Sequence, residues 1–163
     1  MGILEFLDAH AIAYERYEHE AVLTCEALER VGAGIPGARC KNLFLRDRSG
    51  KKHWLLITDH KKQADLKALG AQLGAGRLGF ASAERMQRML GITPGAVSIL
   101  SLMNDTACEV TLLIDQEIWS EPSFECHPLV NTATLVISRE NLERFVALTG
   151  HKLEIVDVPC QSG

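Results

Sequence analysis

Three stretches of the chain hold residues whose types and spacing could do chemistry. The first is Lys41-Asn42-Leu43-Phe44-Leu45, whose bulky apolar residues read as a strand. Asp47-Arg48-Ser49-Gly50-Lys51 then turns the chain into a return strand, Trp54-Leu55-Leu56-Ile57-Thr58. Side chains alternate along a strand, so Lys41 points the same way as Leu43 and Leu45. An ammonium at the end of a core-facing row has two readings. Either it lies past the strand's start and snorkels to water, since lysine is rarely buried, or it stands at a pocket mouth for an anion. The second stretch is Cys126-His127-Pro128-Leu129-Val130-Asn131. Its imidazole titrates near neutrality and either moves a proton or is simply satisfied beside a turn. The third is Gly91-Ile92-Thr93-Pro94-Gly95. Two glycines bracketing a proline make a tight turn whose backbone can come close to a ligand, although most such turns are only turns.

Other catalytic arrangements fit less well. The five cysteines (Cys25, Cys40, Cys108, Cys126 and Cys160) are odd in number and widely spread, with no Cys-x-x-Cys. A disulfide framework and a zinc site are both poor readings, and a reduced cytoplasm is the natural one. A cysteine hydrolase built on Cys126 or Cys108 is an alternative. Adjacent Cys126 and His127 would point apart on an extended chain, however, which opposes a nucleophile–base hydrogen bond. No His-x-x-x-His or carboxylate triad points to metal-assisted hydrolysis, so neither metal nor cofactor is expected.

The positioning elements follow from length and pattern. The 163 residues, 47% of them apolar, suit one domain with its own core, expected over residues 1–160 with 161–163 as a frayed tail. No apolar run is long enough to span a membrane. The first residues mix acids with apolar side chains and lack the basic lead-in of a secretory signal. The net charge of −4 hides a strong asymmetry. Residues 39–77 carry ten Lys/Arg against three acids, and the remainder holds seven Lys/Arg against eighteen acids. A basic sector on an acidic body suits local contact with a few phosphates, or else is a solvated hairpin.

Apolar spacing predicts helices over residues 2–11, 61–69 and 139–149, with Gly70 and Gly150 ending the last two and Ser138 capping the third. Thr24 is a good N-cap for a helix to Val31, and Ser82 for one that carries Met86, Met89 and Leu90 and stops at Gly91. Strands are expected over residues 13–17, 41–45, 54–58, 78–80, 109–114, 132–137 and 152–158, with a short turn or helix over 115–119. Some strands are joined by hairpins and others across helices. The expected class is α+β, a single domain with a mixed, strongly curved, barrel-like sheet flanked by helices.

Taken together, Lys41-Asn42-Leu43-Phe44-Leu45 before a charged hairpin and His127-Pro128-Leu129-Val130-Asn131-Thr132-Ala133-Thr134 resemble the YbaK-like aminoacyl-tRNA deacylase superfamily. These are freestanding proteins related to the insertion domain of bacterial prolyl-tRNA synthetase. The Gly91–Gly95 turn, and Tyr17-Glu18-His19 followed by Thr24, sit where that family places them. The likeness covers nearly the whole chain and is greatest to the branch that hydrolyses alanyl-tRNA(Pro). It implies a cytoplasmic enzyme that cleaves the ester at the acceptor end of a mischarged tRNA(Pro), with transient association with prolyl-tRNA synthetase as a further possibility. Lys41 matches the family's essential lysine, His127 its histidine before Pro-Leu, and Gly95 the turn that offers backbone N–H groups near the scissile carbonyl. Cys25 and Leu28, on the early helix, are candidates for the amino-acid pocket.

These roles make chemical sense. A synthetase made for proline rejects the smaller alanine poorly on fit, so a second, hydrolytic sieve is the physical remedy. An activated ester needs only a positioned water, help from the ribose hydroxyl and donors at the developing oxyanion. Lys41 would fix a terminal phosphate or the 3′ adenosine. Asn42, on the other side of its strand, would shape the site indirectly, and Asn131 and Thr132 would hold the histidine turn. His127 would orient the aminoacyl group or ribose, or act as a base. The alternatives are a module of this fold that binds a tRNA end or a synthetase without turnover, and a deacylase for seryl or cysteinyl esters.

Overall fold

The computed structural model describes residues 2–19, 35–130 and 132–161. Its strands are β1 (Glu15–Glu18), β2 (Cys40–Asp47), β3 (His53–Asp59), β4 (Leu78–Phe80), β5 (Val110–Asp115), β6 (Ser123–Cys126), β7 (Ala133–Ser138) and β8 (Leu153–Val156). The helices are α1 (Ile3–Ala9), α2 (Leu66–Leu73), α3 (Ala83–Leu90), α4 (Gln116–Trp119) and α5 (Arg139–Thr149), with a 3₁₀ helix over Ile99–Asn104. The expected helix from Thr24 to Val31 lies outside the described residues.

The strands form a mixed α+β fold, in two sheets rather than one. Five strands run in the order β4-β2-β3-β5-β8, and three in the order β1-β7-β6. The expected β2–β3 hairpin forms, with Lys41 opposite Thr58 and Leu45 opposite Trp54. β5 then joins β3 in parallel, and β8 joins β5 in parallel. The two sheets touch at an isolated parallel bridge between Ala38 and Phe124. There Ala38 N–H donates to the Ser123 carbonyl (2.9 Å), and Glu125 N–H to that of Ala38 (3.0 Å). Among the described residues these ladders do not close into a barrel.

The larger sheet is covered on both faces, which is why β3 is almost wholly apolar instead of alternating. One face carries Cys40, Phe44, Leu55 and Ile57 into the main core, with Leu7 of α1 and Phe145 of α5. The other carries Leu45, Trp54, Leu56 and Leu113 against Leu69 of α2 and Val158. Lys41 shares this second face.

The cap residues act as their chemistry predicts. Ser82 and Ser138 accept from Arg85 and Asn141, and Gly91 and Gly150 end α3 and α5 with left-handed backbone. The helix expected over 61–69 begins later, at Leu66, because Asp65 is the residue that accepts from Ala68 N–H. It also runs past Gly70 to Gly74, whose φ of +67° supplies the stop. Gly70 is inside α2 for a different reason: a Cβ there would meet the Gly76 carbonyl oxygen. At the far end of the chain, Cys160 bridges Ala64, and Gln161 N–H donates to the Gln63 carbonyl at 2.9 Å.

Candidate active site

Strand β2 sends Lys41 and Asn42 to opposite faces. Lys41 is half-buried, and among the described residues no carboxylate or carbonyl takes its ammonium. The neighbouring lysine on that face behaves differently. Lys62, its side chain only 6% exposed, donates to Asp115 Oδ2 at 2.8 Å and to Glu117 Oε2 at 3.0 Å. Asp115 also accepts from the Thr58 hydroxyl at 2.8 Å. Lys62 therefore closes a buried ion pair, while Lys41 makes none among the described residues.

His127 follows β6, a strand that the sequence pattern does not announce. Its Nδ1 is buried and has no hydrogen-bond partner. Burial holds its pKa below the usual histidine value, His19 nearby pushes the same way, and a hydrogen bond to the Ala133 backbone opposes both. The ring is thus neutral at pH 7, with an uncommitted nitrogen. Two residues on, Leu129 has a φ of +65°, unusual for a bulky side chain. Packing of Leu129 against the main core holds this backbone and turns the histidine segment away from β6. Thr132, expected to brace the turn through its side chain, instead uses its carbonyl, which accepts His19 N–H at 2.9 Å. It lines an open groove of about 620 Å³ with His19, Pro128 and Val130.

Gly95 has a φ of +93°, and Ala96 N–H donates to the Thr93 carbonyl at 3.1 Å. With Pro94 at the second position and Gly95 at the third, this is a type II turn. It feeds the 3₁₀ helix, whose Ile99 lines a cavity of about 10 Å³. Cys40 and Asn42, which flank Lys41, line the same cavity, as does Cys126, the residue before His127. Neighbours of the three motifs therefore line one small apolar space, on the face of β2 opposite to Lys41, and Lys41, Gly95 and His127 are not themselves in its lining. Cys25, Leu28 and Asn131 lie outside the described residues.

Nothing in the sequence pattern marks Glu125. Its side chain is 5% exposed, it lines that cavity, and neither carboxylate oxygen accepts a hydrogen bond. Burial raises its pKa to about 7, against the opposing pull of Arg39. The cysteine alternative loses ground here. Burial pushes the Cys126 thiol up to about 12 and the Cys40 thiol well up, and a protonated thiol is a poor nucleophile. Among the described residues no three His, Cys, Asp or Glu side chains are grouped to hold a metal, and no helix is long and apolar enough to cross a membrane.

Comparison with known proteins identifies the family. Residues 19–145 match the model of the aminoacyl-tRNA editing domain. The chain belongs to that family. It is 35% identical over 157 residues to the prolyl-tRNA editing protein ProX of Acetoanaerobium sticklandii, covering 96% of both chains. Prolyl-tRNA synthetase associated domain-containing protein 1 of Mus musculus is 36% identical, over 89% of this chain and 88% of its own. The family fold extends to the solved structure of a candidate trans-editing enzyme for prolyl tRNA synthetase, at a TM-score of 0.67 and 18% identity over 91% of this chain and 87% of that one. A hypothetical protein, APE2540, superposes at a TM-score of 0.73 and 18% identity, over 96% and 97%. Within this editing-domain family, the match spans the hairpin, the glycine turn and the histidine segment.

Proposed function

We propose that this protein is a trans-acting aminoacyl-tRNA deacylase that hydrolyses the ester of mischarged tRNA(Pro), alanyl-tRNA(Pro) foremost. The observation that carries the reading is a half-buried Lys41 that makes no ion pair among the described residues, in a chain of the editing-domain family.

In this mechanism Lys41 holds a phosphate or the adenosine at the RNA 3′ end by a charge-assisted hydrogen bond. The Gly95 turn presents a backbone N–H to the carbonyl oxygen as it gains charge, and the missing side chain lets the ester approach. The neutral His127 ring takes a proton from the attacking water or fixes the ribose hydroxyl that assists it. Water adds to the carbonyl carbon, the ester C–O bond breaks, and the 3′ oxygen leaves with a proton. Alanine is selected because the amino-acid cavity is too small for a proline ring, with Cys25 and Leu28 as its proposed lining. Asn42 and Asn131 position the site. The protein acts in the cytoplasm, alone or in passing contact with prolyl-tRNA synthetase.

The test is deacylation of tRNA(Pro) charged with alanine, serine, cysteine or proline. Alanine release that fails with Lys41→Ala, with the proline ester spared throughout, is the expected result. Equal cleavage of all four esters, or of none, overturns the reading.

A further inference from the structure

We propose that the β2–β3 turn, the adjoining edge strand β4 and helix α3 form a phosphate-binding face for the double-stranded stem of the RNA whose 3′ end lies at Lys41. This rests on Lys41 being the residue that binds that end.

The face gathers Arg46, Arg48, Lys51, Lys52, Arg85 and Arg88. Arg85 Nη1 donates to the Gly50 carbonyl and to His53 Nε2, both at 3.0 Å, which pins its guanidinium over the turn. A Cβ on Gly50 would lie 2.8 Å from Arg85 Nη2 and 3.3 Å from Arg46 Nη1, so the two guanidiniums flank the same glycine. The β2–β4 ladder pairs Arg46 with Gly79 and ends at Asp47 opposite Leu78, so β4 borders the turn that carries Arg48. The positive field is felt within the fold: burial and then Arg85 and Arg88 hold the His53 pKa below its usual value.

Like charges gathered this way repel one another, and nearby acids do not neutralise them. Among the described residues, the ion pairs take up Arg16, Arg39, Lys62 and two histidines, and none of the cations of this face. Asp47 is spent on the turn itself, accepting from Lys51 and Lys52 backbone N–H groups and from the Ser49 hydroxyl. Among the described residues, neither Glu84 of α3 nor Glu109 forms an ion pair with any of them. A cluster kept uncompensated on a protein of net charge −4 is arranged for an anionic partner.

Distance selects the duplex as that partner. The end of β2 at Arg46 lies five residues along the strand from Lys41, about 17 Å at the rise of an extended strand. The Arg46 side chain leaves the face opposite to Lys41, and the turn beyond it projects past both faces. A stacked single strand of about four nucleotides, at about 3.4 Å each, spans about 14 Å. With the terminal adenosine at Lys41, the unpaired end is used up on the way, and the first paired phosphates arrive at the turn.

The test compares wild type with the triple variant Arg48→Gln, Lys51→Gln, Lys52→Gln, whose side chains are exposed and make no bond that holds the turn. Two substrates separate the face from the catalytic centre: alanyl-tRNA(Pro), and an alanylated ACCA tetranucleotide that has no stem. We expect the variant's KM for the tRNA to rise about tenfold at unchanged kcat. The slope of log KM against log salt should flatten by up to about 3, and tetranucleotide cleavage should stay at the wild-type rate. An unchanged KM and salt slope, or an equal loss on both substrates, overturns the proposal. Binding of uncharged tRNA(Pro) to both proteins reads the face without any cleavage. A wild type that binds but does not hydrolyse would sink the deacylase reading, and the same change in salt slope would then still decide for or against the face.

Discussion

Glu125 Oε2 lies 3.6 Å from Arg39 Nε, and among the described residues this is the ion pair of a carboxylate that accepts no hydrogen bond at either oxygen. Burial outweighs the arginine and leaves the pKa at about 7. In the unfolded chain the same group would titrate near the ordinary glutamate value, about 4.3. The folded state thus holds a proton that the unfolded state has released, so Glu125 costs stability as pH rises from roughly 4.3 to 7. Glu125→Gln should abolish that slope and raise stability at pH 8 by a few kcal/mol, because each tenfold difference in proton affinity between the two states is worth about 1.4 kcal/mol. Urea unfolding at pH 5 and pH 8 is the measurement, and a variant whose stability tracks the wild type at both would show the carboxylate to be well solvated.

The two lysines on the smaller-core face should respond oppositely to truncation. Lys62→Ala leaves Asp115 buried with an uncompensated charge, which costs about 3–5 kcal/mol. Lys41→Ala removes no ion pair and should shift stability by no more than about 0.5 kcal/mol while abolishing deacylation. Thermal melts of the two variants beside an activity assay test both halves. A markedly lowered melting temperature for Lys41→Ala would make that lysine a structural residue.

If His127 takes the proton from water, activity needs the neutral ring. Its lowered pKa keeps the ring neutral well into mildly acidic solution. The rate of ester cleavage should therefore be flat above neutrality and fall only below the usual histidine range, after correction for spontaneous hydrolysis. His127→Ala should lose about 10²–10⁴-fold in rate together with the acidic limb. Loss of rate with the limb retained would leave His127 a positioning residue.

Gly95→Ala should disturb both the turn and the reaction. A φ of +93° disfavours any side chain, and alanine there costs about 1 kcal/mol or more. The methyl group would also stand where the ester carbonyl approaches the backbone. A kcat reduced with little change in KM is expected, and a fully active variant would place the oxyanion donor elsewhere.

Much of the fold is written locally. Ser82, Ser138, Gly91 and Gly150 mark helix ends through bonds to residues three or four positions away, and a short window contains all of that information. The β2–β3 hairpin is equally local, because the turn sets its register. Segments whose placement depends on distant partners are less legible. Ser123–Cys126 is too short and mixed to announce itself as a strand, and it becomes one by pairing with β7 and bridging to Ala38. Gly70 has the look of a helix stop because glycine is common there, whereas its absent Cβ makes room for the Gly76 carbonyl.

Residue types and spacing alone determined that this chain carries an alternating lysine strand, a glycine-proline turn and a histidine-proline segment, in that family's order. Only the tertiary structure decided which lysine is free and which is locked to Asp115, since nothing near Lys41 or Lys62 in sequence names a partner more than fifty residues away. It also decided that Cys40, Asn42, Ile99 and Cys126, far apart in sequence, line one cavity, and that Glu125 lines it too. Long-range strand pairing does that work, and pairing energies depend on what lies across the ladder, which no short stretch of sequence records.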